Sequence, residues 1–312
     1  MTDIDSLMKR CHHRPRVRLM DAASARGRET ITERRERGDP ILLRALSLGA
    51  GVQSTALALM AAHGEITPMP DVALFADTQW EPSGVYEHLS WLSSANVLPY
   101  PVIRVSAGSL RDNVLTRRNT SGGRYAAIPW HTLKPDGSAG MGRRQCTSEY
   151  KLTPLMHGLR DLLGVDRRDR IPPGSVEVWI GISTDEASRM RPARQQWMRN
   201  RYPLAMELRM SRSDCLAWMD RHSYPRPAKS ACIGCPYKSA AEWRHMHDHD
   251  PAAWADAVEI DTALRVGDSR GMRVVEFMHP QRVPLAEADL SAATEHGQGD
   301  LFGNECEGMC GL

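Results

Sequence analysis

The sequence predicts an α/β fold: a mostly parallel sheet flanked by helices, with a helical C-terminal part and a flexible tail. Three observations predict it. Four short apolar runs of strand length recur along the chain. Segments of helical texture fall between them, as in a chain of β-α-β units. Every loop rich in small or acidic residues lies at the end of one of those runs, where open α/β sheets bind their ligands.

The elements follow in order. Residues 1–40 are polar and weakly periodic and read as an N-terminal arm, with a surface helix within 22–37. The first strand is the run from Ile41 to Leu48, followed by the loop Gly49-Ala50-Gly51-Val52-Gln53 and a helix from Ser54 to Ala62 that stops near Gly64. The second strand covers residues 71–76, ending at Asp77, and a helix is expected over 83–92. The third strand is Val102 to Val105 and the fourth Val176 to Ile182. The long segment between them carries Gly- and Pro-rich loops and reads as a lid. Residues 41–210 thus form one α/β domain in this reading. A helical, cysteine-containing region spans 211–283, opened by Ser211 and Asp214 as a capping box. Residues 284–312 are polar and read as the flexible tail.

Composition narrows the function classes. Net charge is +2, so overall charge does not announce a nucleic-acid binder. The positive charge is nevertheless mostly arginine. Arg189, Arg191, Arg194, Arg199, Arg201, Arg209, Arg212, Arg221 and Arg226 crowd one stretch. Arginine forks suit phosphate and sulfate oxygens, so this stretch is either an anion-binding wall or a solvated face. No window holds the roughly 18 uninterrupted apolar residues of a membrane span. The first 30 residues show no apolar core of a signal peptide. The expectation is a cytoplasmic protein, away from membranes, whose oligomeric state the sequence leaves open.

The first loop carries phosphate-binding chemistry. Glycines let the backbone approach an anion, loop amides point inward, and the following helix N-terminus adds positive potential. Ser47, Ser54 and Thr55 add hydroxyls. No Gly-Lys-Ser/Thr is present, so this is not a Walker loop. Asp77, Asp185 and Glu186 are oxygen donors suited to Mg²⁺, and Arg189 lies close enough in sequence to Asp185 to meet a phosphate or sulfate.

Residues 46–55 resemble the PP-loop of the adenine nucleotide alpha-hydrolase-like superfamily, whose ATP-pyrophosphatase members carry S-G-G-x-D-S. Here Gln53 replaces their aspartate and Val52 offers no lysine. Sulfonucleotide reductases show a similar departure, with glutamine before the serine. Residues 75–82, Phe-Ala-Asp-Thr-Gln-Trp-Glu-Pro, resemble the family's Asp-Thr-Gly segment after strand two. Residues 179–189 resemble its G-x-R-x-[DE]-[EQ]-S-x-x-R segment, with Ser183 where many members have arginine. The three segments occur in order and cover about residues 41–245. The branch they most resemble is the phosphoadenylyl-sulfate (PAPS) reductase-like family, which includes reductase-like proteins of phages and of type IV CRISPR loci. The resemblance implies an adenine nucleotide, ATP with Mg²⁺, held at Ser47, Gly49, Ala50, Gly51, Gln53, Ser54, Thr55, Asp77, Thr78 and Gly181. It implies chemistry at Asp77, Asp185, Glu186 and Arg189.

The chain has seven cysteines, an odd number that argues against a disulfide framework. Cys232-Ile233-Gly234-Cys235-Pro236 is a C-x-x-C of the spacing that grips one metal or cluster, or works as a redox dithiol. Cys215, between apolar helical neighbours, reads as a core thiol, and the histidines at 12, 13, 245, 247 and 249 as surface residues. Residues 143–155 resemble the Cys-Cys…Lys…Pro-Leu segment of iron–sulfur sulfonucleotide reductases, with Gln145 in place of one cysteine. The resemblance implies a 4Fe-4S cluster on Cys146, Cys232 and Cys235, with Cys306 or Cys310 as the fourth donor; structural zinc is the alternative. Residues 304–310 partly resemble the Glu-Cys-Gly-x-His reductase tail, but Glu307 intervenes and no histidine follows.

The expected function is therefore a PP-loop enzyme that cleaves ATP at the α–β bond, leaving an adenylate and pyrophosphate. A sulfonucleotide reductase releasing sulfite is one alternative. A non-catalytic nucleotide- or nucleic-acid-binding accessory protein of a CRISPR, phage or DNA-modification system is the other. Its ribonucleoprotein or nucleic-acid partner would meet the arginine-rich stretch.

Overall fold

A computed structural model describes residues 29–122, 128–265 and 274–291. Its strands are β1 (Leu43–Ser47), β2 (Val72–Ala76), β3 (Val102–Val105), β4 (His131–Leu133), β5 (Ala139–Met141), β6 (Val176–Ile180), β7 (Met198–Arg201) and β8 (Val275–Phe277). Its helices are α1 (Ile31–Arg37), α2 (Val52–Ala62), α3 (Ser83–Leu92), α4 (Leu110–Leu115), α5 (Thr153–Leu163), α6 (Arg212–Arg221), α7 (Ala240–His249) and α8 (Pro251–Arg265).

The main sheet has the order β3-β2-β1-β6-β7, and every neighbouring pair is parallel. Successive side chains of a strand face opposite sides, and here the two faces feed two cores. Leu46, Ala73, Phe75 and Trp179 pack with α2, α3 and α6. Ala45, Val72, Leu74, Val176, Val178 and Ile180 pack with α5. The result is a three-layer α/β/α arrangement whose central strands are buried on both faces, which is why they read as mostly apolar runs, interrupted at Arg44, Ser47 and Glu177. Chain direction through the sheet reverses between β1 and β6, so the loops after these two strands flank a topological switch point.

Four differences from the sequence reading concern elements. β7 is a fifth strand inside the arginine-rich stretch. Its residues Met-Arg-Asn-Arg lack apolar alternation because it is a sheet edge, buried only at Met198. The helix after the loop starts at Val52, two residues earlier than expected, because Gly51 serves as its N-cap. The expected lid between β3 and β6 instead contributes α4, the β4–β5 hairpin and α5 to the body of the molecule, with β5-β4-β8 forming a small antiparallel sheet. Trp130, Tyr150, Trp243, Ile260, Met278 and Leu285 belong to the third core beneath it. The first residues of the expected tail, 284–291, also pack. Leu285 is fully buried, and its amide donates to the buried Asp261 carboxylate at 2.8 Å. The capping box Ser211–Asp214 forms as expected.

Helix α1 joins the body through Ile31, which packs on the second core, through Arg35, which donates to Leu163 O, and through a buried ion pair. Arg34 is buried and donates Nη1 and Nη2 to the two oxygens of Asp71 at 2.7 and 2.8 Å, just before β2. The Asp71 carboxylate raises the Arg34 pKa further above its ordinary value. Removing one partner of a buried pair strands the other charge. Arg34→Ala is expected to cost about 3 kcal/mol in denaturant unfolding. Arg34→Lys should recover only part of it, because an ammonium lacks the two-pronged geometry.

Candidate functional site

The loop after β1 is held by its own backbone. Ala50 adopts φ +57°, a left-handed conformation unusual for alanine, and Gly51 then opens α2 with no side-chain cap. The first-turn amides of α2 have no intrahelical carbonyl to meet, so they are available to an anion at this N-terminus. Within the loop, Gly49 N donates to Ser54 Oγ at 3.2 Å, and Thr55 N donates to Gly51 O at 3.0 Å. Across the switch point Gly181, just past β6, lies against this helix start. A Cβ at position 181 would come within 2.8 Å of Ser54 N and 2.9 Å of its Cα. The loop is buried, with Gln53 at 1 % and Ser54 at 0 % exposure.

The residues after β6 close over the loop. Gln53 Nε2 donates to Glu186 Oε2 at 3.1 Å and reaches Ser183 Oγ at 3.4 Å, while its Oε1 is buried with no hydrogen-bond partner among the described residues. Glu186 also pairs with Arg189, three residues on in the short 3-10 helix Thr184–Arg189. Asp185 faces elsewhere: both its oxygens accept from Arg212 N, at 3.1 and 3.3 Å, at the start of α6. Of the two acids expected together at a metal, Glu186 therefore lies beside the loop and Asp185 caps a helix. Asp77, at the end of β2, accepts through Oδ1 from Tyr86 OH at 2.9 Å and Gln79 N at 2.8 Å. Burial, with this bond adding, raises the Tyr86 pKa well above the ordinary phenol value.

Thr55 brings a histidine into the site. Its Oγ1 lies 3.0 Å from Nε2 of the buried His88 on α3. Burial pushes the His88 pKa down to about 4. The folded protein thus keeps His88 neutral where an unfolded chain protonates it, so stability is lost as pH falls from about 6.5 towards 4. The full contribution is on the order of 3 kcal/mol. His88→Gln keeps a polar partner for Thr55 and should flatten this part of the stability–pH curve, measured by urea unfolding between pH 4 and 7. His131 and His279, also lowered by burial, should leave a residual slope.

The cysteines meet the segment that follows β2. Cys146, Cys232 and Cys235 line one cavity together with Thr78, Trp80, Arg144 and Lys151. Cys232 Sγ is 3.4 Å from both Thr78 Oγ1 and Glu81 Oε1, and Thr78 Oγ1 donates to Glu81 at 3.0 Å. Burial, with the Glu81 charge adding, pushes the Cys232 thiol up. Lys151 Nζ stands 3.9 Å from Glu81, and Glu81 Oε2 is buried with no hydrogen-bond partner among the described residues. The C-x-x-C turn rests on Trp80: Ile233 N donates to Trp80 O at 2.8 Å, and a Cβ on Gly234 would meet the indole at 2.1 Å. Cys146 precedes a π-helical turn, Thr147–Leu152, a form often found at functional sites. Cys306 and Cys310 lie outside the described residues.

Three soft sulfur donors on one cavity fit a thiolate-bound iron or zinc centre. The sulfurs are not gathered as a set within 4.8 Å, whereas zinc bonds of about 2.3 Å would draw thiolates to roughly 3.8 Å of one another. A single zinc ion would need these side chains to shift, and the donor chemistry carries the fit.

A larger cavity, about 520 Å³, opens beside this region between β3 and α5, within the usual range for a small-molecule site. Arg104, Ser106, Thr120, His157 and Arg167 line it, and Ser106 donates to Asp77 O at 2.7 Å. Sequence reasoning assigned no role to Glu81, Lys151 or His88. Glu81 and Lys151 sit inside the segments read as motifs, and charged residues among apolar and cysteine neighbours were the available signal. His88 carried none, since its role depends on α3 packing against α2.

The arginine-rich stretch is partly spent within the fold. Arg201 pairs with Glu207 at 2.7 Å and stacks over Trp179, Arg226 pairs with Asp220 at 2.6 Å, and Arg191 donates to the carbonyls of Ser188 and Met190. No helix among the described residues is long and apolar enough to cross a membrane.

No protein-family model matches the chain, and no curated protein matches it. Among solved structures, the chain is similar to a phosphoadenylyl-sulfate (PAPS) reductase from Candida auris in its phosphate complex, at 11 % identity and a TM-score of 0.37. The alignment covers 67 % of this chain and 87 % of the reductase. The fold assignment rests on the strand order and registers described above.

Proposed function

We propose that this chain is an adenine-nucleotide-binding enzyme of PP-loop type that cleaves ATP between its α- and β-phosphates, with a thiolate metal centre beside the nucleotide. One observation carries the reading. The loops after β1 and β6, which the sequence singled out separately, meet at the switch point, and the loop after the neighbouring strand β2 touches the C-x-x-C turn through Thr78 and Glu81. The α2 N-terminus supplies amides for phosphate oxygens, and Gln53, with a buried and unpaired Oε1, supplies a further polar contact. Bound Mg²⁺ would neutralise charge on the phosphates, with Glu186, bonded to Gln53, and Asp77, at the end of neighbouring β2, as its carboxylates; Asp185 would act through the α6 cap. Arg189, held by Glu186, would meet the phosphate charge. Cys146, Cys232 and Cys235 would hold the metal, iron–sulfur by the family resemblance or zinc, and so lock the C-x-x-C turn against Thr78.

The test is incubation of the full chain with ATP and Mg²⁺, and separately with adenylyl sulfates, followed by product analysis. AMP and pyrophosphate in equal amounts support the reading. Sulfite release from an adenylyl sulfate would make the protein a reductase instead. Binding of ATP or nucleic acid without any product would make it an accessory binding protein.

A further inference from the structure

A second set of ligand atoms lies away from the cysteines, at the opposite end of α2 from the phosphate loop. His63, Glu65 and His222 each offer one donor atom, and the three lie within 4.8 Å of one another; this is the one such set among the described residues. We propose that they form a site for a divalent transition metal, with zinc the ion best matched to two imidazoles and a carboxylate.

The surroundings are arranged for a cation. His63 is the C-cap of α2 and His222 the C-cap of α6, and their rings stand 5.0 Å apart, so two helix C-termini converge there. Each brings its partial negative charge to the same point. The donors are also held in place. His222 Nδ1 lies 2.8 Å from Trp218 O. A carbonyl only accepts, so Nδ1 carries the proton and the bare lone pair is on Nε2, as in protein-bound metal sites. His63 Nε2 is engaged with Tyr224 OH at 2.8 Å, which leaves Nδ1 for a metal. Trp218 Nε1 donates to both oxygens of Glu65, at 3.0 and 3.2 Å, and its ring stacks on His222 with centroids 4.1 Å apart. The buried Trp218 thus fixes two of the three ligands. All three ligand residues are exposed, so the ion can load from solvent, and the protein leaves coordination positions for water. A metal here ties the C-terminal ends of the two helices whose other ends meet the phosphate loop and Asp185.

The test is zinc binding by calorimetry to the metal-free full chain, with Co²⁺ absorption spectra in parallel. The wild type is expected to bind one more equivalent than the His63→Ala, His222→Ala double variant. With Co²⁺, that equivalent should bring visible ligand-field bands without a thiolate-to-metal charge-transfer band, which would mark the cysteine site. Glu65→Gln retains an acceptor for Trp218 and should weaken the same equivalent at least about tenfold. Equal equivalents and affinities in wild type and Glu65→Gln would overturn the proposal, whether or not the double variant folds. So would a thiolate band accompanying the extra equivalent.

Discussion

Gly181→Ala is expected to unseat the phosphate loop. The added Cβ would stand 2.8 Å from Ser54 N and 2.9 Å from Ser54 Cα. Both are backbone atoms of a buried helix start, so no side chain can swing aside. Either β6 moves in register, which its pairing with β1 and β7 resists, or α2 moves outward. Overpacking of this kind costs about 1–3 kcal/mol. The larger effect is on ligand binding, because the displaced amides are those that would point at phosphate. Calorimetric titration with ATP should show affinity falling about a hundredfold or more, since a misplacement of 1 Å can have that effect in a pre-organised site. Gly64→Ala is the control. Its Cβ would meet nothing within 4 Å, and its φ of +78° makes the cost one of backbone strain at the far end of α2. That variant should lose stability while keeping ATP affinity. If the two variants behaved alike, the switch-point loop would not be the nucleotide site.

The contrast between these glycines shows what the sequence made legible. The central strands β1, β2 and β6 were readable because a sheet covered on both faces requires apolar runs with loops at their ends, and the edge strand β3 because Val102, Ile103 and Val105 are apolar. β7 was not, since an edge strand with polar residues has no periodic signature. The small sheet was hidden for another reason: β8 reaches β4 from more than a hundred residues away, and each strand is only three residues long. The site was legible as residue types and illegible as roles. Asp185 and Glu186 are neighbours in sequence, yet a single 3-10 turn sends one carboxylate to the α6 N-terminus and the other to Gln53. The set His63, Glu65 and His222 could not be read at all, because it is created by α2 and α6 packing side by side across 159 positions of chain between the two histidines (222 − 63).

Cys232→Ser and Cys215→Ser are expected to give opposite results. Cys232 lies at the cavity shared with Cys146 and Cys235, in contact with Thr78 and Glu81. A serine hydroxyl can keep those two contacts, so the fold should survive with little loss. It cannot replace a thiolate toward iron or zinc at neutral pH, so elemental analysis of anaerobically purified protein should show the thiolate-bound metal lost, leaving at most the one ion proposed at His63, Glu65 and His222. Iron with acid-labile sulfide in the wild type would identify a cluster, and zinc without sulfide a single ion. Cys215 is fully buried in the core between α2 and α6 beside Met219 and Trp218. Exchanging its thiol for a hydroxyl inserts a more polar group into an apolar cluster, at about 1–3 kcal/mol, and should leave metal content unchanged. The pairing removes the trivial explanation that any lost cysteine releases metal by loosening the protein. Because Thr78, a proposed nucleotide contact, touches Cys232, Cys232→Ser should also weaken ATP binding several-fold, whereas Cys215→Ser should not. Full metal content in Cys232→Ser would exclude the cavity as the metal centre. Metal loss with unchanged ATP affinity would leave the centre in place but uncouple it from the nucleotide.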